Sequence, residues 1–415
     1  MKKSLLFITP ELPYPLQSGG KVKTFRLLAS LAERYEITLV CPLKLEDSKH
    51  LEAFHAVSPC SKHLHEAVNV PRSAKNLLLS YLRRWPLNVQ RSFSAALQQR
   101  VAEIVESYDL AVLDHYEIYP YIPANTSVPV VYHAHNAYYR LWQRYAELPG
   151  NPILRLAAAM ESYRVRRCET RVARCAQLTF AAPNDAAELI AGGVDERLIR
   201  DTYHLGDDSQ LALPELRWGS TGKRLMYVGF LGWEANAEGL LWFIASVWPL
   251  LARRHPDLTF EIVGKGADER LLAAVKDVPR IKLLGFVENL EDVYSRSRVS
   301  VAPLRFGSGM KVKVLDAMAR GMPTVTTAVG AEGIAITRGE QLAVADSPED
   351  FAAAVDLLLT DQSSWEQMSV AARRLISDRY TWDSLFAAMH CALGSLFERP
   401  RHSEQLVAYR GLHAR

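Results

Sequence analysis

RFGSGMKVKVLDAMARGMP (305–323) is the stretch that decides how this chain folds. Gly307 and Gly309 give a loop whose backbone can approach a ligand closely. Val312, Leu315 and Ala319 then recur at helical spacing, with Val314 and Met318 beside them. The helix stops at Gly321, just before Pro323, the usual order of signals at a helix C-terminus. Short apolar runs over 299–302 and 324–326 flank it, so the segment reads strand, glycine loop, helix, strand.

The same alternation extends outward to both ends. One strand series is expected over 5–9, 37–40, 110–113, 128–132 and 178–181, and a second over 225–228, 259–263, 281–284, 299–302, 324–326 and 341–344. Helical patterns lie between them at 22–33, 92–106, 153–174, 239–253, 312–319 and 348–359. Continuous apolar strands alternating with helices predict α/β architecture, with parallel sheets covered on both faces. Two series of about six are too many for one compact sheet. Residues 205–220 are polar, aperiodic and broken by Pro214, which divides the chain into domains 1–205 and 206–380, followed by a helix and basic tail over 381–415.

Composition narrows the partners. The 415 residues, 49% hydrophobic and 23% charged, exceed the ~250–300 at which a single core stops growing. A net charge of +3 argues against a dedicated nucleic-acid binder. The five cysteines are scattered without a CxxC pair, against a disulfide scaffold or a cysteine zinc site. The apolar run after Lys2-Lys3 ends at Thr9-Pro10, too short for a secretory leader, and no run approaches ~18 apolar residues. Charge is uneven: residues 1–200 hold 25 Lys and Arg against 19 Asp and Glu. Residues 62–100 carry seven cations against Glu66 alone, interleaved with Leu77, Leu78, Tyr81, Leu82 and Trp85. That pattern describes either a helix on an anionic membrane or a solvated helix with its apolar side inward.

Three loops suit phosphate or sugar. The first, 10–21, carries Gly19-Gly20 into a helix, and is neither GxGxxG nor a Walker sequence. The second is 305–313, with Arg305, Ser308, Gly309, Met310, Lys311 and Lys313. Lys311 is read in the helix's first turn, a poor place for a cation unless an anion is bound. Lys313 and Asp316 fall near one another on the helix, where a solvated ion pair is the plain alternative. The third is His133-Ala134-His135 after a strand; His133 is expected to point elsewhere than His135, and no carboxylate stands at metal-motif spacing.

The stretches at 303–334, 225–243, 260–266, 281–304, 379–386 and 7–43 together resemble the retaining glycosyltransferases of family four. The resemblance implies the GT-B fold, two doubly wound Rossmann-like domains facing across a cleft, and bacterial surface-glycan chemistry. It places Asp316 at the second acid of the family's Glu-x7-Glu motif, on the donor ribose, and Ser308 where the first glutamate normally stands. Ser308, Gly309 and Met310 then line the donor sugar and diphosphate. Phe286, Val287 and Glu288 match the loop that holds the base, and His135 the histidine beside the reacting sugar. The family's diphosphate cations are missing from 228–233, so Lys311, Lys313 or Arg305 is expected to replace them.

The resulting expectation is transfer of a hexose, with retention, from a nucleoside-diphosphate sugar (UDP or GDP) to a hydroxyl of a glycan, lipid-linked or other acceptor. His135 and Lys311 are the expected catalytic residues, and Gly19 and Gly20 join the donor set. No metal and no cofactor beyond the donor is expected. The location is cytoplasmic, with membrane contact through 62–100. The rival readings are a non-catalytic subunit of a glycan-assembly complex and a nucleotide-sugar epimerase.

Overall fold

The computed structural model describes residues 2–397 apart from 17–18, 46, 72, 136–137, 148–150, 204 and 308–309. The expected basic tail at 401–415 lies outside the described residues, as do Ser308 and Gly309. The chain forms two compact units, Met1–Tyr203 with Phe386–Arg415, and His204–Leu385.

Unit 1 is built on seven strands: β1 (Lys3–Ile8), β2 (Tyr35–Lys44), β3 (Lys62–Val68), β4 (Leu110–Asp114), β5 (Val130–His133), β6 (Leu178–Ala181) and β7 (Ile199–Asp201). They run parallel in the order β3-β2-β1-β4-β5-β6-β7. Unit 2 holds β8 (Arg224–Val228), β9 (Thr259–Val263), β10 (Ile281–Gly285), β11 (Val299–Ala302), β12 (Thr324–Thr326) and β13 (Ala343–Val344). These are also parallel, ordered β10-β9-β8-β11-β12-β13. Counted from its own first strand, the unit 1 sheet reads 3-2-1-4-5-6-7 and the unit 2 sheet 3-2-1-4-5-6. The order reverses between β1 and β4 in one unit and between β8 and β11 in the other, and ligands gather at such switch points, beyond the carboxyl ends of the strands.

The central strands are apolar because both faces are covered: every residue of β4, β5, β6 and β11 is buried. β3 and β7 were not expected from the sequence. Both are edge strands, and only Leu64 and Val68 of one and Ile199 of the other are buried, so polar residues dominate their sequences. Unit 2 packs Phe243, Trp248, Phe260 and Phe351 ring against ring at 5.1–6.1 Å. Each such side chain contributes ~1.5–3 kcal/mol by leaving water.

The helix expected over 239–253 is longer, running Glu234–Arg254 through one π-helical segment. By length and composition alone it could cross a membrane. Here Phe243, Ile244, Val247, Trp248 and Leu251 from it form part of the unit 2 core. The last helix, Trp382–Phe397, begins in unit 2 and from Phe386 belongs to unit 1. There His390 stacks on Tyr35 and bonds Ser30 at 2.9 Å, while Phe397 packs on Tyr35.

Candidate functional site

Unit 1 places a buried polar cluster at its switch point. β1 ends beside Thr9, β4 ends at Asp114, and β5 ends at His133, which stands opposite Asp114 in the register. Asp114 is fully buried, and its carboxylate is saturated. Oδ1 accepts from His133 Nδ1 (2.7 Å) and His135 Nε2 (2.6 Å), and Oδ2 accepts from the hydroxyls of Thr24 (2.7 Å) and Thr9 (3.1 Å). The expected divergence of the two histidines does not occur. Residues two apart along an extended chain share a face, and both rings converge on one carboxylate with centroids 4.7 Å apart.

Burial holds the pKa of each ring down to about 4 against the pull of Asp114, so both are neutral near pH 7. The bond to Asp114 puts the His135 proton on Nε2 and leaves Nδ1 with acceptor character. That nitrogen lies 3.9 Å from where a Cβ on Gly20 would sit, so His135 faces Gly20 in the first turn of the helix Gly19–Arg34. Lys23 on that helix is 2% exposed, and burial lowers its pKa to about 7 against the fields of Asp114 and Asp185. His115 stacks on His135 at 4.0 Å and carries φ of 100°, a conformation that costs a non-glycine residue ~1–3 kcal/mol. Ligating atoms of Asp114, His115 and His135 lie within 4.8 Å of one another. The four hydrogen bonds already on the carboxylate and the neighbouring Lys23 ammonium oppose a cation there.

Unit 2 concentrates cations instead. The helix Val312–Arg320 follows β11 and ends at Gly321, whose φ of 75° caps it in the left-handed region. Lys311 is the N-cap residue rather than part of the first turn. It is 4% exposed and lies 3.6 Å from the Glu332 carboxylate, which offsets the unfavourable helix end. Lys313 and Asp316 form no pair with each other. Lys313 turns toward β8, donating to the Tyr227 hydroxyl (2.8 Å) and Asn236 Oδ1 (2.5 Å). Burial first, and the charge of Lys311 second, lower its pKa to about 7. Its Nζ lies 3.0 Å from a Cβ built on Gly229, so the loop after β8 passes directly over the ammonium.

Asp316 faces the linker. Its Oδ1 accepts the backbone N–H of Asp207 at 2.7 Å, and burial raises its pKa to about 6. A Cβ on Gly206 would meet that oxygen at 2.0 Å. Arg305 points elsewhere, pairing with Glu238 at 3.0 Å. Met310 is buried, while Val287 packs against the core and Glu288 is exposed. Phe286 is 65% exposed and carries the Lys265 ammonium 4.1 Å over its ring. Sequence reasoning missed Asp114, Thr24, Lys23 and His115 in unit 1, and Tyr227, Asn236, Lys265 and Glu332 in unit 2. A legible signal existed for Asp114-His115, two polar residues that abruptly end the apolar run LAVL.

These two parallel-sheet α/β units constitute a GT-B fold, and residues 222–361 match the family described as Glycosyl transferases group 1. A curated relative, an uncharacterised 44.6 kDa protein of the cps region of Klebsiella pneumoniae, is 33% identical over 31% of this chain and 35% of its own. Glycogen synthase of Mycobacterium tuberculosis is 26% identical over 56% of this chain and 55% of its own. The chain thus spans between about a third and about half the length of these relatives. Among solved structures, Anabaena Alr3699/HepE in complex with UDP and glucose superposes with a TM-score of 0.63 at 15% identity, over 95% of this chain and 100% of that one.

Proposed function

We propose that the protein is a glycosyltransferase that moves a hexose from a nucleoside-diphosphate sugar to a hydroxyl acceptor with retention at the anomeric carbon, in glycan or polysaccharide synthesis. The observation that carries the reading is the Lys313 cluster: a buried ammonium at the switch point of unit 2, beneath the Gly229 loop and between Tyr227 and Asn236. A buried, weakly compensated cation beside close-approaching backbone suits a diphosphate. The group 1 match over 222–361 and the likeness to UDP-binding structures support the same class.

In this reading Lys313 and Lys311 neutralise charge developing on the departing diphosphate, which is the largest service such a site performs. No metal is required for that step. Asp316 holds the ribose hydroxyls, and Phe286, Val287 and Glu288 flank the base. His135, neutral and oriented by Asp114, offers an acceptor nitrogen to a sugar hydroxyl. Front-face departure, with the leaving phosphate taking the acceptor's proton, accounts for retention. Incubation with UDP- and GDP-sugars tests the reading. Binding of a donor followed by transfer, or slow hydrolysis giving the α-sugar, supports it. Neither binding nor turnover across the panel defeats it. Conversion of free donor into its epimer would select the epimerase, and tight binding without turnover the non-catalytic subunit.

A further inference from the structure

The helix Ala74–Leu82 is packed inside out. Among its described residues only Ser80 is buried, while Leu77, Leu78, Tyr81 and Leu82 stand in solvent, Leu82 at 72% exposure. The alternative in which its apolar side faces the core is not what the structure adopts. A second helix, Pro152–Cys175, repeats the anomaly over its first half. Ala158, Glu161, Val165 and Val172 face the core, yet Ile153, Leu156, Met160 and Tyr163, spaced three, four and three apart, line the opposite side. Ile153 is 76% exposed.

The two surfaces adjoin. The Arg164 guanidinium sits 4.2 Å over the Tyr81 ring, donates to the Ser80 carbonyl at 2.8 Å and pairs with Glu161 at 2.7 Å. Monomeric proteins rarely leave so much contiguous apolar surface uncovered. The charge around it is one-sided. Segments 73–85 and 151–168 contain one acid, Glu161, which is buried against Arg164. Lys75, Arg83, Arg84, Arg155 and Arg167 are exposed, and none pairs with a carboxylate among the described residues.

We propose that these two helices form a docking face for an anionic lipid bilayer. Leu78, Leu82, Ile153 and Leu156 enter the headgroup boundary, and the surrounding cations meet lipid phosphates. Charge decides the occupant. A second copy meeting the same patch would set cation against cation, and a neutral apolar partner would leave them all uncompensated. Of the basic stretch over 62–100, the helix and Arg83-Arg84 contribute, whereas Lys62–Val68 is a strand and Arg100 pairs with Glu66. The inference is independent of sugar transfer.

Co-sedimentation of the full chain with vesicles tests it, using phosphatidylcholine alone and phosphatidylcholine mixed with phosphatidylglycerol. The protein should sediment with the anionic vesicles, and increasingly less as salt rises. Leu78→Ser with Leu82→Ser, and separately Ile153→Ser with Leu156→Ser, should each weaken binding about tenfold or more, with Tm unchanged because all four side chains are exposed. Arg83→Gln with Arg84→Gln should weaken it by a similar factor. Absence of binding to anionic vesicles, equal binding to neutral ones, or indifference to these substitutions would overturn the proposal. So would a solution dimer that Leu78→Ser with Leu82→Ser converts to monomer, since a second copy would then be the occupant.

Discussion

The two units share a strand order and a switch point, yet they fill that point with opposite chemistry. In unit 1 the carboxylate of Asp114 absorbs four hydrogen bonds and holds two neutral imidazoles. In unit 2 the corresponding place holds Lys313 on two neutral partners, with Lys311 nearby on Glu332. One arrangement is charge-saturated and suited to orienting hydroxyls. The other keeps a cation short of anions and suited to accepting a diphosphate. The lesson is that topology sets where a ligand can sit, and side chains from the neighbouring strands set which ligand it is.

That contrast can be broken most directly at the lysines. Lys313→Ala and Lys311→Ala should each lower turnover of a nucleotide sugar about 100-fold or more, equivalent to ~2.7 kcal/mol of transition-state stabilisation. Retention of full turnover by either would remove that lysine from the anion site. Asp114→Asn should lower turnover about 10- to 100-fold, below the ~10²–10⁴ that general acid–base catalysis supplies because the carboxylate orients His135 rather than transferring a proton, while leaving the Kd for UDP unchanged. An equal loss in UDP affinity would mean that the two halves do not divide the work as described.

Protonation provides a finer test. Lys313 in the free protein has its pKa lowered to about 7, so it loses its charge as pH rises through that value. A bound diphosphate favours the ammonium and raises the pKa again. UDP binding near pH 8 should therefore take up a proton, visible as a buffer-dependent calorimetric enthalpy, and Kd should rise with pH by up to about tenfold per unit. Lys313→Arg should abolish the uptake. The smallest effect is expected in the linker: Gly206→Ala presses on Asp316 and should cost about 1–3 kcal/mol of unit 2 stability, read by thermal unfolding.

Much of the fold was legible because buried parallel strands announce themselves as apolar runs, and the helix after β11 carries both its period and its glycine stop. The edges were not legible. KHLHEAV (62–68) and IRD (199–201) pair on one side only, so their side chains obey solvent rather than the sheet. At the site, Lys313 was visible as a helix-borne cation, but its partners were not. Tyr227 and Asn236 lie 86 and 77 residues away, and only the sheet order brings them together. The same holds for Asp114 and His135, joined by the strand register that sets Asp114 opposite His133, on whose face His135 also lies.

The crossing of the last helix from one unit to the other makes unit 2 a parenthesis inside unit 1. On the ribosome, unit 2 is complete as soon as its own residues emerge, whereas unit 1 must wait through all of it for His390 and Phe397 to reach Tyr35. The first-made half of the protein is thus the last to be finished.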